Sequence, residues 1–136
     1  MHTASQSTRA LAALSYARHL CLVAAGPTHP EIPTIDIRIA MCLIALGKPE
    51  VSLSFLDKIL ASQQAVEGDN AVAIAQTSLL RAKALQQTAD LRGALAAARE
   101  AHSLFSKKFG DSDIRTRDCF AQVNRITAEA VQKERA

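Results

Sequence analysis

Gly26-Pro27-Thr28-His29-Pro30, Gly68-Asp69-Asn70 and Gly110-Asp111-Ser112-Asp113 decide how this chain folds. The three glycines stand 42 residues apart. Each follows a long apolar-periodic run and precedes a fresh helix start. The interval also holds inside the runs: Ala10-Leu11, Ser52-Leu53 and Ala94-Leu95 are in phase, as are Ala40 with Ala82 and Ile32 with Ile74. A period between about 20 and 50 residues is the mark of an array whose units bury their apolar faces against their neighbours. Arrays of that kind present extended surfaces for binding.

Working outward from the glycines, breakers and periodicity predict six helices. The first runs from about Ser7 to Ala24, closed by Gly26-Pro27. The second starts near Pro30 with Thr28 or His29 as cap, carries Pro33 in its first turn and stops at Gly47. The third covers Glu50 to about Ala65, the fourth Asn70 to about Thr88 and the fifth Asp90 to Phe109. The last begins at Ser112 or Asp113 and runs close to the C-terminus. No alternating β-branched run bounded by Asn-Gly or Asp-Gly turns occurs, so the chain reads as all-α. The short links Gly47-Lys48-Pro49 and Thr88-Ala89-Asp90 make each pair of helices antiparallel. The expected architecture is an antiparallel helical-hairpin solenoid, a right-handed α-α superhelix. Its parts are residues 7–25 as the second helix of a truncated repeat, repeats at 26–67 and 68–109, and a capping helix at 110–136. On this reading the chain is a fragment of a longer array.

Composition narrows the class of function. The 136 residues suit one domain; 49% are apolar, yet Trp is absent and aromatics make up 4%. The net charge of +3 is a mild excess, and most cations are interleaved with acids, as in Arg115-Thr116-Arg117-Asp118 and Lys133-Glu134-Arg135. Cys21, Cys42 and Cys119 are odd in number and without metal-ligand spacing, and read as buried free thiols of a reducing compartment. Ser5, Gln6, Ser7 and Arg9 interrupt any leader-like apolar core, and no apolar run is long enough to span a membrane. A cytoplasmic location is expected.

Setting the inner turns at Gly47 and Ala89 puts small residues (Ala40, Ser52, Ala82, Ala94, Ala101) where paired helices come closest. Larger ones (Ile39, Leu43, Leu56, Leu85) then fill the gaps to the next pair. This pattern resembles tetratricopeptide hairpins, lengthened from the common repeat of about 34 residues by about one turn per helix. It is similar to the long-helix subtype of kinesin light chains and clustered mitochondria proteins. Gly26-Pro27-Thr28-His29-Pro30-Glu31-Ile32 resembles the Gly-Pro-x-His-Pro-(Glu/Asp) loop of both families. Phe109-Gly110-Asp111-Ser112-Asp113-Ile114-Arg115-Thr116-Arg117-Asp118, leading into Glu129-Ala130-Val131-Gln132-Lys133-Glu134, resembles the close of the tetratricopeptide region in clustered mitochondria proteins. There a Gly-x-x-Asp-Leu-Arg-Thr-x-Asp stretch enters a charged helix rich in Gln, Glu and Ala. The resemblance covers about Leu20 to Lys133. Kinesin light chains carry paired asparagines on the first helix of each hairpin; Ile37-Arg38 and Leu79-Leu80 stand there instead, so that peptide clamp is absent. The resemblance implies a cytoplasmic protein that controls mitochondrial distribution and associates with messenger RNAs for mitochondrial proteins and with the translation machinery.

No catalytic, cofactor or metal site is predicted, and the chain reads as a non-enzyme. His19, His29 and His102 fall in different repeats, and no nucleophile elbow, P-loop or dinucleotide-binding glycine pattern is present. Function is expected on the concave face. Counting from the inner turns, Thr34, Ile37, Met41 and Ile44 line one strip. Gln76, Leu79, Lys83 and Gln86 line the second; Asp118, Ala121, Arg125 and Ala128 line the third. An apolar anchor beside two cations in register, Lys83 and Arg125, suits an amphipathic or acidic protein segment. The alternative partner is RNA, held at phosphate by the same cations, although Tyr16, Phe55, Phe105, Phe109 and Phe120 are scattered and mostly in core phase. A kinesin-light-chain-like cargo adaptor is the third reading. The apolar circumference of the first helix (Leu11, Leu14, Leu20, Leu22, Val23) also predicts a homodimer through that helix.

Overall fold

The computed structural model describes residues 2–65 and 70–135. Six helices follow one another: α1 (His2–Ala25), α2 (Ile32–Ala45), α3 (Pro49–Ala65), α4 (Ala71–Gln87), α5 (Leu91–Phe109) and α6 (Ile114–Arg135). No strand occurs among the described residues, and the all-α hairpin reading holds. The turn expected at Gly68 lies outside the described residues. Helix α1 begins five residues before its expected start, because Ser5 and Gln6 interrupt the apolar pattern without breaking a helix. The contacts group into two compact units, 1–59 and 60–136, the division falling within α3.

The inner turns repeat to the atom. Gly47 donates to the Ile44 carbonyl (3.1 Å) and Lys48 to Leu43 (2.9 Å); 42 residues on, Ala89 donates to Gln86 (3.0 Å) and Asp90 to Leu85 (3.0 Å). This paired return of two amides closes a helix through a left-handed residue. Gly47 takes φ 73°, and Ala89 takes φ 63° as the one non-glycine with positive φ among the described residues. A Cβ at Gly47 would meet nothing within 4 Å, so only backbone conformation separates the two residues. Gly47→Ala is therefore expected to cost about 1 kcal/mol, while Ala89→Gly is expected to stabilise by up to about 1 kcal/mol. Thermal unfolding of the two variants should shift in opposite directions.

At the start of α2 the expected cap is displaced. The N-cap is Glu31, without a side-chain cap of its own, and Pro33 occupies the first turn. His29 acts from two residues upstream, its Nδ1 accepting the Glu31 N–H at 3.1 Å. The histidine of the Gly-Pro-x-His-Pro loop thus satisfies a donor at the helix entry.

In the first unit, α1 packs on α2: Leu11, Leu14, Ala17 and Cys21 meet Ile35, Ile39 and Leu43, with Phe55 of α3 against the same cluster. Arg18 and Asp36 add an ion pair at 2.6 Å. Helices α2 and α3 meet at small residues, where buried Ser52 donates its hydroxyl to the Ala40 carbonyl at 3.0 Å. In the second unit α5 packs on both α4 and α6, and Ala75, Ala101, Phe105 and Cys119 form the centre of the cluster. Asp90 caps α5 through the Gly93 N–H at 3.0 Å, and a Cβ at Gly93 would strike that carboxylate. Of the three cysteines, all expected to be buried, only Cys119 is; Cys21 and Cys42 are half-buried, Cys21 against the α1–α2 cluster. Burial pushes the Cys119 thiol up to about 11, and its Sγ lies 3.5 Å from the Ala98 carbonyl.

Candidate functional site: the exposed strips of α2, α4 and α6

On α2 the residues spaced at three and four leave a face that α1 does not cover. Thr34 is exposed, Met41 keeps 50% of its surface open, and Ile37 and Ile44 are half-buried beside them. None of the four belongs to the cluster against α1, whose α2 members are Ile35, Ile39 and Leu43. Met41 is therefore the accessible centre of this strip.

The strip on α4 divides. Gln76 and Lys83 are exposed, and Lys83 has no ion-pair partner among the described residues. Leu79 is drawn into the cluster around Phe105, so it supports the strip from below rather than lining it openly. Gln86 is a middle member of a hydrogen-bonded chain that joins α4 to α6. Gln122 Nε2 donates to Gln86 Oε1 at 2.6 Å, and Gln86 Nε2 donates to Glu129 Oε1 at 2.9 Å. Arg125 Nη2 donates to Gln122 Oε1 at 2.7 Å. Asp118, Ala121 and Ala128 are exposed on the same helix.

Two of these partners, Gln122 and Glu129, were not expected. Gln122 is nearly buried and its counterpart 42 residues earlier is Leu80, so the repeat gave it no polar role. Glu129 lies four residues after Arg125, a spacing at which opposite charges share a helix face. Together they correct the picture of two aligned cations. Arg125 spends one donor on Gln122 and has a carboxylate on its own face, whereas Lys83 keeps its charge open. The strip offers both donors and acceptors. Such a surface fits the polar backbone and mixed side chains of a protein segment better than a run of phosphates.

The loop that precedes α6 folds on itself. Ser106 donates its hydroxyl to the Asp111 carboxylate, and Asp113 Oδ1 takes the Arg115 backbone N–H at 2.9 Å. The Arg115 guanidinium returns to both Asp113 oxygens, at 3.0 and 3.2 Å, while lying 3.5 Å over the Phe109 ring. The side-chain bond from Arg115 holds the Asp113 carboxyl below the usual carboxylate range. Phe109, Asp113 and Arg115 of the terminal sequence segment are thus joined as one α5–α6 turn.

Three histidines, His19, His29 and His102, do not converge: His29 serves its own loop, His19 lines an apolar cavity in the first unit, and His102 meets Phe120 at 5.4 Å between ring centroids. No group of His, Cys, Asp and Glu suited to a metal occurs among the described residues. No described helix is long and apolar enough to cross a membrane.

With the hairpins and strips in place, comparison with known proteins decides the family. The tetratricopeptide repeat model matches residues 31–107, from the cap of α2 to the last turn of α5. The chain belongs to the tetratricopeptide repeat family. The tetratricopeptide chain is also similar to curated relatives named clustered mitochondria protein homolog. It is 30% identical to that of Culex quinquefasciatus over 127 residues, 93% of this chain and 9% of the relative. The human relative is 29% identical over 131 residues, 96% of this chain and 10% of the relative, and that of Danio rerio is 28% identical over 130 residues, 96% and 9%. The resemblance to clustered mitochondria proteins is thereby borne out. The chain spans about a tenth of the length of these relatives. No solved structure matches it. Tetratricopeptide repeats in a relative of these proteins point to a non-enzymatic scaffold that takes part in protein interaction.

Proposed function

We propose that this chain is the partner-binding tetratricopeptide module of a cytoplasmic, clustered-mitochondria-like protein. That protein acts in mitochondrial distribution and associates with messenger RNAs for mitochondrial proteins. The printed name of its relatives, clustered mitochondria protein homolog, supports the mitochondrial part of this reading. One observation carries the local reading: Lys83 and Gln76 stand open beside the Arg125–Gln122–Gln86–Glu129 chain, a pre-ordered mixture of donors and acceptors. Ordering these side chains before a partner arrives lowers the entropy lost on binding. On α2, Met41 supplies a flexible apolar contact of the kind that adapts to a partner's shape.

Met41→Asp is expected to abolish retention of protein partners from extract by the immobilised chain. Helix content should stay unchanged, because half of Met41 already faces solvent. A well-folded Met41→Asp protein that retains the same partners would remove the support for the α2 strip. A direct RNA role rests on Lys83 and Arg125, but the α4 strip carries no aromatic side chain on which bases could stack. Phe120 and Tyr16, in different units, are the exposed aromatics among the described residues.

The same proposal includes self-association through α1. Tyr16, Leu20 and Val23 share one face of that helix and are 66%, 49% and 72% exposed. Light scattering at two protein concentrations is expected to show a dimer mass at the higher one. A monomer mass at both would exclude this pairing.

A further inference from the structure

The Arg18–Asp36 ion pair fixes how α1 and α2 lie against each other in the first unit. With that pair level across two antiparallel helices, Ser15 stands opposite Ile39 and Leu11 opposite Leu43. Val51 and Phe55 of α3 add a third wall, and the three helices border a cavity of about 420 Å³. On α1 its lining is Leu11, Ser15, Arg18, His19 and Leu22, whose spacing places them on one face of the helix. Tyr16, Leu20 and Val23 lie on another. A hairpin partner would use a third: α5 meets α4 through Ala94 and Ala101, which in the 42-residue register are Ala10 and Ala17 on α1. The cavity is therefore walled by three consecutive helices of one unit.

The first repeat keeps this space open by its choice of side chains. The α5 residues in register with Val51 and Phe55 are Gly93 and Ala97, and Ala97 is 5% exposed, as the small residues of a close helix approach are. In α3 a branched and an aromatic side chain stand there instead, Val51 49% exposed and Phe55 half-buried. Apolar surface left open to water in this way gains from being covered. The polar groups of the cavity are confined to α1. Leu11 and Leu43 make one end apolar, whereas Arg18 and His19 lie about two turns further along, with Ser15 between. Asp36 takes the Arg18 Nε–H at 2.6 Å and is 13% exposed, so it orients the guanidinium from behind while using one of its five donors. An apolar trough with a few donors gathered at one end has the form of a small-ligand site. A polar peptide backbone would find no partners along Ile39, Leu43, Val51 and Phe55; an alkyl chain needs none.

We propose that the cleft between α1 and α3 binds a fatty carboxylate. Its alkyl chain lies along Ile39, Leu43, Val51 and Phe55, and its carboxylate meets Arg18 and His19. The strips of α2 and α4 contribute no residue to this cleft.

Decanoate is the probe, titrated below its micelle concentration into the isotope-labelled 136-residue protein. Saturable amide shifts are expected at Leu11, Ser15, His19, Leu43 and Val51. Decanol, with the same chain and no charge, should bind at least about tenfold more weakly, and His19→Glu should cost decanoate a similar factor. Ser15→Phe, at an exposed position, should fill the cleft and abolish the shifts with helix content unchanged. Val51→Trp should do the same from the opposite wall. Decanol binding as tightly as decanoate would mark an apolar docking groove without a head-group site and overturn the proposal. Shifts centred on Tyr16, Leu20 and Val23, or decanoate binding indifferent to both Ser15→Phe and Val51→Trp, would overturn it too. So would the absence of saturable shifts at about 1 mM decanoate.

Discussion

Phe105→Ala is expected to destabilise the protein by about 3–5 kcal/mol, the largest effect of any single truncation proposed for it. Phe105 is 3% exposed and is the one large side chain in a cluster otherwise built from Ala75, Ala101 and Cys119. Val72, Leu79, Leu104 and Phe109 pack around it. The surrounding alanines have no longer rotamer with which to refill the space, so the cavity left behind should collapse poorly. Since native domains hold on the order of 5–15 kcal/mol in total, the loss should bring the second unit close to unfolding at ambient temperature. Denaturant titration measures it. A loss below about 1 kcal/mol would show that some other cluster holds α4, α5 and α6 together.

Overpacking tests the opposite property. Ala82 and Ala94 are both completely buried, one on each arm of the α4–α5 hairpin. Ala40 is equally buried and carries the carbonyl that receives the Ser52 hydroxyl at the matching place in the α2–α3 hairpin. Small residues at these positions let the backbones approach closely. Ala82→Leu and Ala94→Leu should each cost on the order of 1–3 kcal/mol by forcing the helices apart. Because the two sites serve one interface, the double variant should cost less than the two single costs added together. An unchanged thermal midpoint for both single variants would mean that the assigned register is wrong.

These two results rest on features legible in the sequence, and the reason is physical. A left-handed inner turn needs Gly or a tolerated substitute, so the 42-residue spacing alone pairs Gly47 with Ala89. Close helix approach admits only small side chains, so Ala40, Ser52, Ala82 and Ala94 stood out in the same way. The entry to α2 is less legible in the sequence. Spacing offers Thr28 or His29 as the cap, but Glu31 takes that place and the His29 imidazole acts on it from outside the helix, a loop geometry that no spacing rule fixes. The strips were legible as positions but not as chemistry. Gln122 reaches Gln86 because two helices far apart in sequence come alongside each other, and periodicity in one helix carries no record of the polar partner on another. The spacing of Leu79 fits the surface strip, yet Phe105 draws it inward. The exposure of Phe120 is hidden from the sequence for a related reason. An aromatic in core phase is buried only if a neighbour covers that stripe of its helix.

The most direct test of the central claim, that the α4 strip binds a protein segment, is photo-crosslinking from position 76. Gln76 is exposed and lies one helical turn from Leu79 and two from Lys83. A photoreactive amino acid there samples the strip without removing a charge, and Arg92, exposed at the start of α5, serves as control position. The account predicts adducts from position 76 that are destroyed by protease, withstand ribonuclease and are absent from position 92. Adducts from position 76 that ribonuclease removes would contradict it.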